Sequence, residues 1–300
     1  MTRLRTPDER FENLAGFAYP PHYFDLSDPD FGPLRLHYVD EGAPDAPVIV
    51  CLHGQGAWGY LYRAMIPLFV AAGYRVIAPD YIGFGRSDKL PREEDYSFQK
   101  HIDWLTAFLK GLDATPFTGF LFDWGAFFGL RIAAENPALF DRLIVSNGRL
   151  PTGHEPGAAW FVKWREKMLG LPVFPMGDMV NDGATRDLSA QEIAAYDAPF
   201  PNESYKTGPR RCPMILPIAP DDPASPANSA AWDKLSAWNK PVLTLFSAML
   251  ARSGAQQALI DHIPGAKDRP HHTYPDAGFY IVEDKSADLA RRTLDFIGAA

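Results

Sequence analysis

Asp123 is the residue whose type and position have the clearest chemical meaning, and it lies in the segment 121–125, LFDWG. An apolar run precedes this segment and a helical pattern follows it, which predicts a strand, a sharp turn and a helix. A side chain at such a turn is exposed above the sheet and can act as a nucleophile. A carboxylate there attacks carbon and forms an ester, or it removes a proton. The ordinary alternative is an Asp that caps the N-terminus of the helix.

The elements that position Asp123 alternate between strand and helix through the first 150 residues. Short apolar runs, typical of strands buried on both faces of a parallel sheet, occupy 47–52, 74–78, 117–122 and 143–146, and an alternating pattern occupies 34–40. Helical patterns lie at 60–72, 98–112 and 127–136. This alternation predicts an α/β fold, with a mostly parallel, doubly wound sheet that has helices on both faces. Functional side chains are then expected at the carboxyl ends of the strands.

Residues 151–225 interrupt this alternation, because they are dense in Pro and Gly and contain no buried-strand pattern. The segment 158–169 is amphipathic, and Ser189 with Glu192 three residues later predicts a second, capped helix. An insertion of this kind is typical of a helical lid, which excludes water from a pocket.

The α/β pattern returns after this insertion. Strands are predicted at 241–247 and 272–277 and a closing helix at 287–297. We therefore expect an α/β core formed by 1–150 and 226–300, with a helical cap at 151–225.

The composition excludes several classes of function. A net charge of −8 over 300 residues is unsuited to binding nucleic acid or an anionic membrane. No stretch approaches the roughly 20 apolar residues that span a bilayer, and the charged N-terminus lacks the apolar segment of a signal peptide. No spacing of His, Cys and carboxylates suggests a metal site, and no Gly-rich phosphate loop is present. We expect a cytoplasmic monomer that uses neither a metal nor another cofactor.

Several motifs together give the chain a specific resemblance to one known family. They are His53-Gly54-Gln55, Trp58, Tyr60-Leu61-Tyr62-Arg63, Pro79-Asp80, Gly83-Phe84-Gly85-Arg86-Ser87-Asp88, Asp123-Trp124-Gly125, Glu135-Asn136-Pro137, Ser146-Asn147, Leu150-Pro151-Thr152-Gly153 and Ala195-Tyr196-Asp197-Ala198-Pro199-Phe200-Pro201. In this combination the chain resembles the haloalkane dehalogenases of the α/β-hydrolase superfamily over essentially its whole length.

The resemblance implies a role for four residues. Asp123 matches the nucleophile that displaces halide from an sp³ carbon, and Trp124 matches an indole that binds the halide. Trp164 resembles the second halide-binding Trp of one subfamily, whereas core packing is the expectation for Trp160. Gln55 stands where Asn or Glu usually supports the halide or the oxyanion, and its amide is able to donate.

The resemblance also implies two partners of Asp123 that this chain lacks. The family's catalytic His follows the last strand, and the chain has Phe279 at that position. The family's acid often follows the preceding strand, where the chain has Leu250. A second subfamily places its acid after the strand that ends near Asn147, and no carboxylate occurs between Asn147 and His154.

Further departures from the family pattern surround the same pocket, where a usual Gln is Phe122 and a usual Pro is Gly56. The expected pocket lining is Gly56, Phe122, Phe127, Leu250 and Phe279. Because these changes remove polar partners and leave the other motifs intact, we infer a re-purposed or engineered active site.

Three functions are compatible with these residues, each with a small apolar or halogenated organic molecule as the ligand. In the first, Asp123 is alkylated by a haloalkane and the ester persists, because no base activates water. In the second, burial raises the pKa of Asp123, which then removes a proton from carbon in an eliminase-like reaction. The third is a non-catalytic protein that binds ligands under a lid.

Overall fold

The computed structural model describes residues 3–114, 116–155 and 159–298, and these contain one eight-stranded sheet. Its strands are β1 (His22–Asp28), β2 (Gly32–Glu41), β3 (Val48–Leu52), β4 (Arg75–Pro79), β5 (Phe117–Phe122), β6 (Phe140–Ser146), β7 (Val242–Ser247) and β8 (His272–Tyr274). Their order is β1-β2-β4-β3-β5-β6-β7-β8. β1 and β2 pair antiparallel, as do β2 and β4, and the remaining pairs are parallel. The predicted α/β fold with a mostly parallel sheet is confirmed.

Helices follow or connect these strands. They are α1 (Ile66–Ala71), α2 (Phe98–Gly111), α3 (Trp124–Glu135), α4 (Ala159–Leu169), α5 (Met176–Gly183), α6 (Ala190–Asp197), α7 (Thr207–Ile215), α8 (Ser225–Leu235), α9 (Ala248–Ala251), α10 (Ala255–His262) and α11 (Ile281–Gly298). α2, α3, α8 and α10 contribute to one hydrophobic core, and α1 and α11 contribute to another. Both faces of the sheet are therefore covered, which a parallel sheet requires.

The two cores arise from the alternation of side chains along each buried strand. In β5, Phe117 and Leu121 lie in the first core, whereas Phe120 and Phe122 lie in the second. All six residues of β5 are buried. The strand is thus fixed on both faces, and the turn that follows it is held in one place.

Helices α4 to α8 lie between β6 and β7, and α4 to α7 fall within 151–225, where the sequence predicts an insertion. Ser189 caps α6 together with Glu192, in the predicted capping box. Glu192 also pairs with Arg63, at 2.7 Å, and Arg63 pairs with Glu283 of α11, at 2.6 Å. These ion pairs attach α6 to the elements that surround the sheet.

The structure corrects the prediction at several element boundaries. β1 is not predicted by the hydrophobic pattern, because most of its side chains are partly exposed at the edge of the sheet. The helix predicted at 60–72 is a 3-10 turn, Gly59–Tyr62, followed by the shorter α1. β8 ends three residues earlier than predicted, next to Pro275, which lacks an N–H for the ladder. α11 begins at Ile281 rather than at residue 287, and it bends at Lys285.

Two further observations concern the predictions about membranes and the amphipathic segment at 158–169. No helix in the described ranges is both long and apolar enough to cross a membrane. α4 covers most of that segment, but Ala158 and the side chain of Trp160 lie outside the described part of the chain.

Candidate active site

Asp123 lies in the sharp turn between β5 and α3, with φ 52° and ψ −114°. A positive φ is uncommon for a residue with a side chain, and it is often found where function requires a strained backbone. Asp123 occupies the N-cap position of α3, but its side chain makes no capping hydrogen bond. Gly125 is required next to this turn, because a Cβ there would collide with the carbonyl oxygen of Leu52. The capping interpretation of Asp123 is therefore wrong, and the carboxylate is available for chemistry.

The carboxyl group of Asp123 is buried, with the residue 4% exposed, and its hydrogen-bond donors belong to the backbone. The N–H of Gln55 donates to Oδ2 over 2.8 Å. Burial raises the pKa of Asp123 to about 7, although the backbone N–H groups of Gln55 and Trp124 lower it. A Cβ on Gly54 would lie 2.6 Å from Oδ2, so glycine is needed for this close approach.

Asp123 faces a cavity of about 740 Å³ that lies between the sheet and helices α4, α5 and α7. Seven of the residues singled out in the sequence line it: Gln55, Asp123, Trp124, Phe127, Trp164, Leu250 and Phe279. Further apolar lining comes from Phe161, Met168, Met179, Phe246 and Tyr280. A cavity of this size and character fits a small, mostly apolar organic ligand.

Gly56 and Phe122 do not belong to this lining and lie behind the cavity wall. Gly56 is covered by the end of Met179 and by Tyr280, which leave no room for a Cβ. Phe122 is fully buried, with its ring centroid 6.1 Å from that of Phe279 and 6.2 Å from that of Tyr280. Both residues shape the cavity by supporting the side chains that line it.

The indoles of Trp124 and Trp164 are the hydrogen-bond donors of interest in the cavity. Trp124 packs against Phe127, with ring centroids 5.3 Å apart, and Trp164 stacks with Phe161 at 5.7 Å. Neither indole N–H donates to an acceptor within residues 3–114, 116–155 and 159–298. An indole N–H is a donor only, so both positions suit an anion or another acceptor.

The side chain of Gln55 has a different environment from the one that the sequence suggests. Its Nε2 donates to the carbonyl oxygen of Pro209 over 2.8 Å. This contact fixes the orientation of the amide, because a flipped amide would place two acceptors together. The Oε1 atom is buried and has no donor among the described residues. A buried acceptor without a partner costs about 1–3 kcal/mol, and Gln55 therefore brings an unsatisfied acceptor to the site.

No histidine lines the cavity in the described part of the chain. The side chain of His53 is held by its neighbours, with Nδ1 2.9 Å from the carbonyl oxygen of Gly54 and Nε2 3.3 Å from the N–H of Tyr81. Burial lowers the pKa of His53 to about 4, so its ring is neutral at pH 7. His101 is also buried, and burial lowers its pKa to about 3.

Asn147 belongs to one of the motifs shared with the family, but the sequence predicts no role for it. It follows β6 with φ 47°, and its Nδ2 donates to the carbonyl oxygen of Phe279 over 2.8 Å. Its Oδ1 accepts the N–H of Ser247 over 2.8 Å. Asn147 thereby ties the ends of β6 and β7 to the loop that carries Phe279. In the sequence, the feature that could have identified Asn147 as a candidate is its position directly after a predicted strand.

A charged pair in the cavity lining was also missed. Arg149 pairs with Glu155 at 2.7 Å, and both line the cavity. Glu155 also accepts the N–H groups of Thr152 and Gly153, over 2.8 Å and 2.9 Å. Burial lowers the pKa of Arg149. The wall of the cavity is therefore less uniformly apolar than predicted.

In residues 3–114, 116–155 and 159–298, no group of three or more His, Cys, Asp or Glu side chains is placed to hold a metal ion. Beside the Arg149–Glu155 pair, Lys167 and Asp182, the described residues offer one buried carboxylate, two indole donors and one unsatisfied amide oxygen in a largely apolar cavity.

Comparisons with known proteins agree with the fold and with the motifs. A family model described as alpha/beta hydrolase fold matches residues 47–207. A haloalkane dehalogenase of Mycolicibacterium paratuberculosis is 48% identical over 294 residues, which cover 98% of this chain and 97% of that protein. A haloalkane dehalogenase of Psychrobacter cryohalolentis is 45% identical over 298 residues, which cover 99% of this chain and 98% of that protein.

A solved structure is also similar over the full chain. The haloalkane dehalogenase of Paraglaciecola agarilytica, described as tetrameric, has a TM-score of 0.89 at 32% identity, with 100% of this chain and 99% of that chain covered. The resemblance expected from the motifs is thus confirmed.

Proposed function

The chain belongs to the haloalkane dehalogenase family of the α/β-hydrolase fold, and from this premise we propose that Asp123 is alkylated by halogenated alkanes. The carboxylate attacks an sp³ carbon, the carbon–halogen bond breaks, and an alkyl ester forms on Asp123. The observation that carries this proposal is that Asp123 and two indoles without acceptors line the same cavity.

In this proposal Trp124 and Trp164 stabilise the departing halide. Charge develops on the halogen as its bond to carbon breaks, and donors that are already in place stabilise that charge without reorganisation. The effect is stronger in a cavity with apolar walls than in water. We further propose that residues 151–225 act as a cap, since α4 and α5 contribute Trp164, Met168 and Met179 to the lining.

We propose that the ester persists. Its hydrolysis requires a base that activates water, and the positions expected for the family's His and acid hold Phe279 and Leu250. Both side chains line the cavity, where they supply no proton acceptor. The expected reaction is therefore one alkylation per protein molecule.

Intact-mass measurement after incubation with hexyl chloride tests this proposal. At about pH 8.5 Asp123 is mostly ionised, and the expected product carries one hexyl group without chlorine, mapped to Asp123 by peptide sequencing. The isosteric Asp123→Asn variant, expected to stay unmodified, is the matched control. Wild-type protein that remains unmodified after long exposure would contradict the proposal, and a ligand-dependent rise in Tm without an adduct would then identify a binding protein.

A second function is favoured by the burial of the Asp123 carboxyl group, which is 4% exposed and whose pKa is thereby raised to about 7. A carboxylate with this pKa is an effective base near neutral pH and can remove a proton from carbon. Ring opening of a nitrobenzisoxazole reports such a step. The rate is expected to rise with pH through a single transition near 7 and to disappear in Asp123→Asn. Activity that survives this substitution would exclude Asp123 as the base.

A further inference from the structure

Besides the charged side chains of Lys167 and Asp182, the hydrogen-bonding groups without partners at the cavity are of two kinds. The donors are the indole N–H groups of Trp124 and Trp164, which have no acceptor among the described residues. The acceptor is Oε1 of Gln55, which has no donor there. A haloalkane satisfies the donors through its halide, but it brings no hydrogen for the acceptor.

The residue that carries this acceptor contacts Asp123, because the backbone N–H of Gln55 donates to the carboxylate over 2.8 Å. The other donor to this carboxylate is the backbone N–H of Trp124, and no side chain in the described part of the chain donates to it. A ligand O–H next to Gln55 therefore has the Asp123 carboxylate as an acceptor, and the unpaired, buried Oε1 of Gln55 belongs to the residue whose backbone holds this carboxylate. The chemistry around Asp123 thus favours a substrate that carries a hydroxyl group beside its halogen.

We propose that this site converts vicinal haloalcohols into epoxides, with Asp123 as the base and the indoles of Trp124 and Trp164 as the halide site. The hydroxyl proton passes to the Asp123 carboxylate, and the resulting alkoxide oxygen attacks the neighbouring carbon. The carbon–halogen bond breaks with its electron pair on the halide, and a three-membered ring forms. Asp123 then releases its proton to solvent, so that one haloalcohol gives one epoxide, one halide ion and one proton.

The residues that line the site are sufficient for repeated turnover of this reaction. It needs no activated water and forms no ester on the protein, so the side chains of Phe279 and Leu250 are no obstacle to repeated turnover. The attacking oxygen and the reacting carbon belong to the same molecule, and well-oriented intramolecular attack has effective molarities of about 10⁵–10⁸ M. The inference rests on the halide site of the proposed function, but it assigns Asp123 the role of a base.

Two chlorides that differ only by the hydroxyl group test this inference with the intact protein. They are styrene chlorohydrin and phenethyl chloride, and the readouts are released chloride, styrene oxide and intact mass. We expect the chlorohydrin to yield styrene oxide and several equivalents of chloride per protein. We expect phenethyl chloride to yield at most one equivalent, with an ester adduct. Asp123→Asn is expected to abolish both reactions, which separates them from uncatalysed ring closure.

The alternative outcomes distinguish this inference from the proposed function. An ester adduct and one equivalent of chloride from the chlorohydrin, without styrene oxide, would overturn the inference and leave the alkylation proposal intact. Styrene oxide from the chlorohydrin without any adduct from phenethyl chloride would support the inference and reject Asp123 as a nucleophile. No reaction with either compound would overturn both.

Gln55 is the specificity-determining residue in this inference. Gln55→Met keeps a side chain of similar length and removes the acceptor. The rate of styrene oxide release is expected to fall by about tenfold more than the rate of adduct formation from phenethyl chloride, because only the chlorohydrin has a hydroxyl to place. Equal losses for the two substrates would show that Gln55 does not recognise the hydroxyl.

Discussion

Asp80 and Asp123 are two buried aspartates that stand in the same relation to the sheet and have different neighbours. Asp80 follows β4 and Asp123 follows β5, each at the carboxyl end of a strand. Asp80 is 0% exposed and Asp123 is 4% exposed, so both are removed from water to a similar degree. Any difference between the pKa values of the two carboxyl groups therefore arises from their hydrogen-bonding partners rather than from how deeply they are buried.

The partners of Asp80 are numerous. Its Oδ2 lies 2.7 Å from Nδ1 of His37, Gly59 donates a backbone N–H to its Oδ1 over 2.7 Å, and Arg86 donates one to Oδ2 over 2.8 Å. Burial opposes ionisation of Asp80, but His37, His53 and these donors together lower its pKa.

Among the described residues, Asp123 receives only backbone N–H groups, and burial raises its pKa to about 7. The two aspartates occupy equivalent strand-end positions, so the opposite shifts of their pKa values follow from the groups that surround each carboxylate.

The largest effect on stability is expected from Asp80→Asn, which removes the anion while its donors stay buried. Removing a buried charge whose partners stay in place costs about 3–5 kcal/mol. Urea unfolding at neutral pH measures the loss, provided that the transition stays two-state. If the free energy of unfolding falls by less than about 1 kcal/mol, the partners of Asp80 do not stabilise its charged form, and the proposed difference between the two aspartates is wrong.

The same substitution at Asp123 is expected to act in the opposite direction at alkaline pH. The folded-state pKa, about 7, lies above the ordinary value of 3.8, so the folded state binds the proton more tightly than the unfolded chain. Wild-type stability from this group is greatest below pH 4, falls as the pH rises to 7, and stays low above it. Asp123→Asn lacks this dependence and is expected to be more stable than wild type by up to about 4 kcal/mol above pH 8.

Unfolding free energies of both proteins across this pH range check the prediction, because all other groups titrate alike and cancel in the difference. The advantage of Asp123→Asn should grow between pH 4 and pH 7 and then remain constant. A difference that does not change with pH would mean that the carboxyl group of Asp123 titrates at its ordinary pKa. Asp123 and Asp80 would then not differ in the direction of their pKa shifts as described above.

The elements on either side of Asp123 were predictable because their signals are local. β5 is a continuous apolar run between a helix and a turn, and α3 has a helical pattern, so the position of Asp123 between them follows from neighbouring residues alone. A change in Pro and Gly content marks the segment between β6 and β7 in which helices α4 to α7 lie.

The partners that decide the chemistry were not predictable, because they are distant in sequence. Gln55 bonds to Pro209 across 154 residues and Asn147 bonds to Phe279 across 132 residues. No local pattern reports such a contact, and it exists only once the sheet brings the strand ends together. The contact with Pro209 sets the orientation of the Gln55 amide, which the sequence does not predict. This orientation leaves Oε1 of Gln55 without a donor among the described residues.

Phe279→His is expected to make the environment of Asp123 more similar to that of Asp80, because it places a histidine near Asp123, as His37 lies near Asp80. Phe279 and Asp123 line the same cavity, and a nearby imidazolium or ring N–H favours the ionised carboxylate. The pH midpoint of adduct formation with hexyl chloride is expected to move down from near 7 by about one pH unit or more, equivalent to about 1.4 kcal/mol per unit. The imidazole also supplies a base, so the hexyl ester should disappear with time.

Phe279→Leu is the matched control, since it removes the same ring and adds no hydrogen-bonding group. Its midpoint is expected to stay near 7 and its ester to persist, because the donors to Asp123 remain the backbone N–H groups of Gln55 and Trp124. If both variants move the midpoint equally, the ring of Phe279 raises the pKa of Asp123 by excluding water. If only Phe279→His moves it, the missing donor is the cause, and the difference between Asp80 and Asp123 reduces to one histidine.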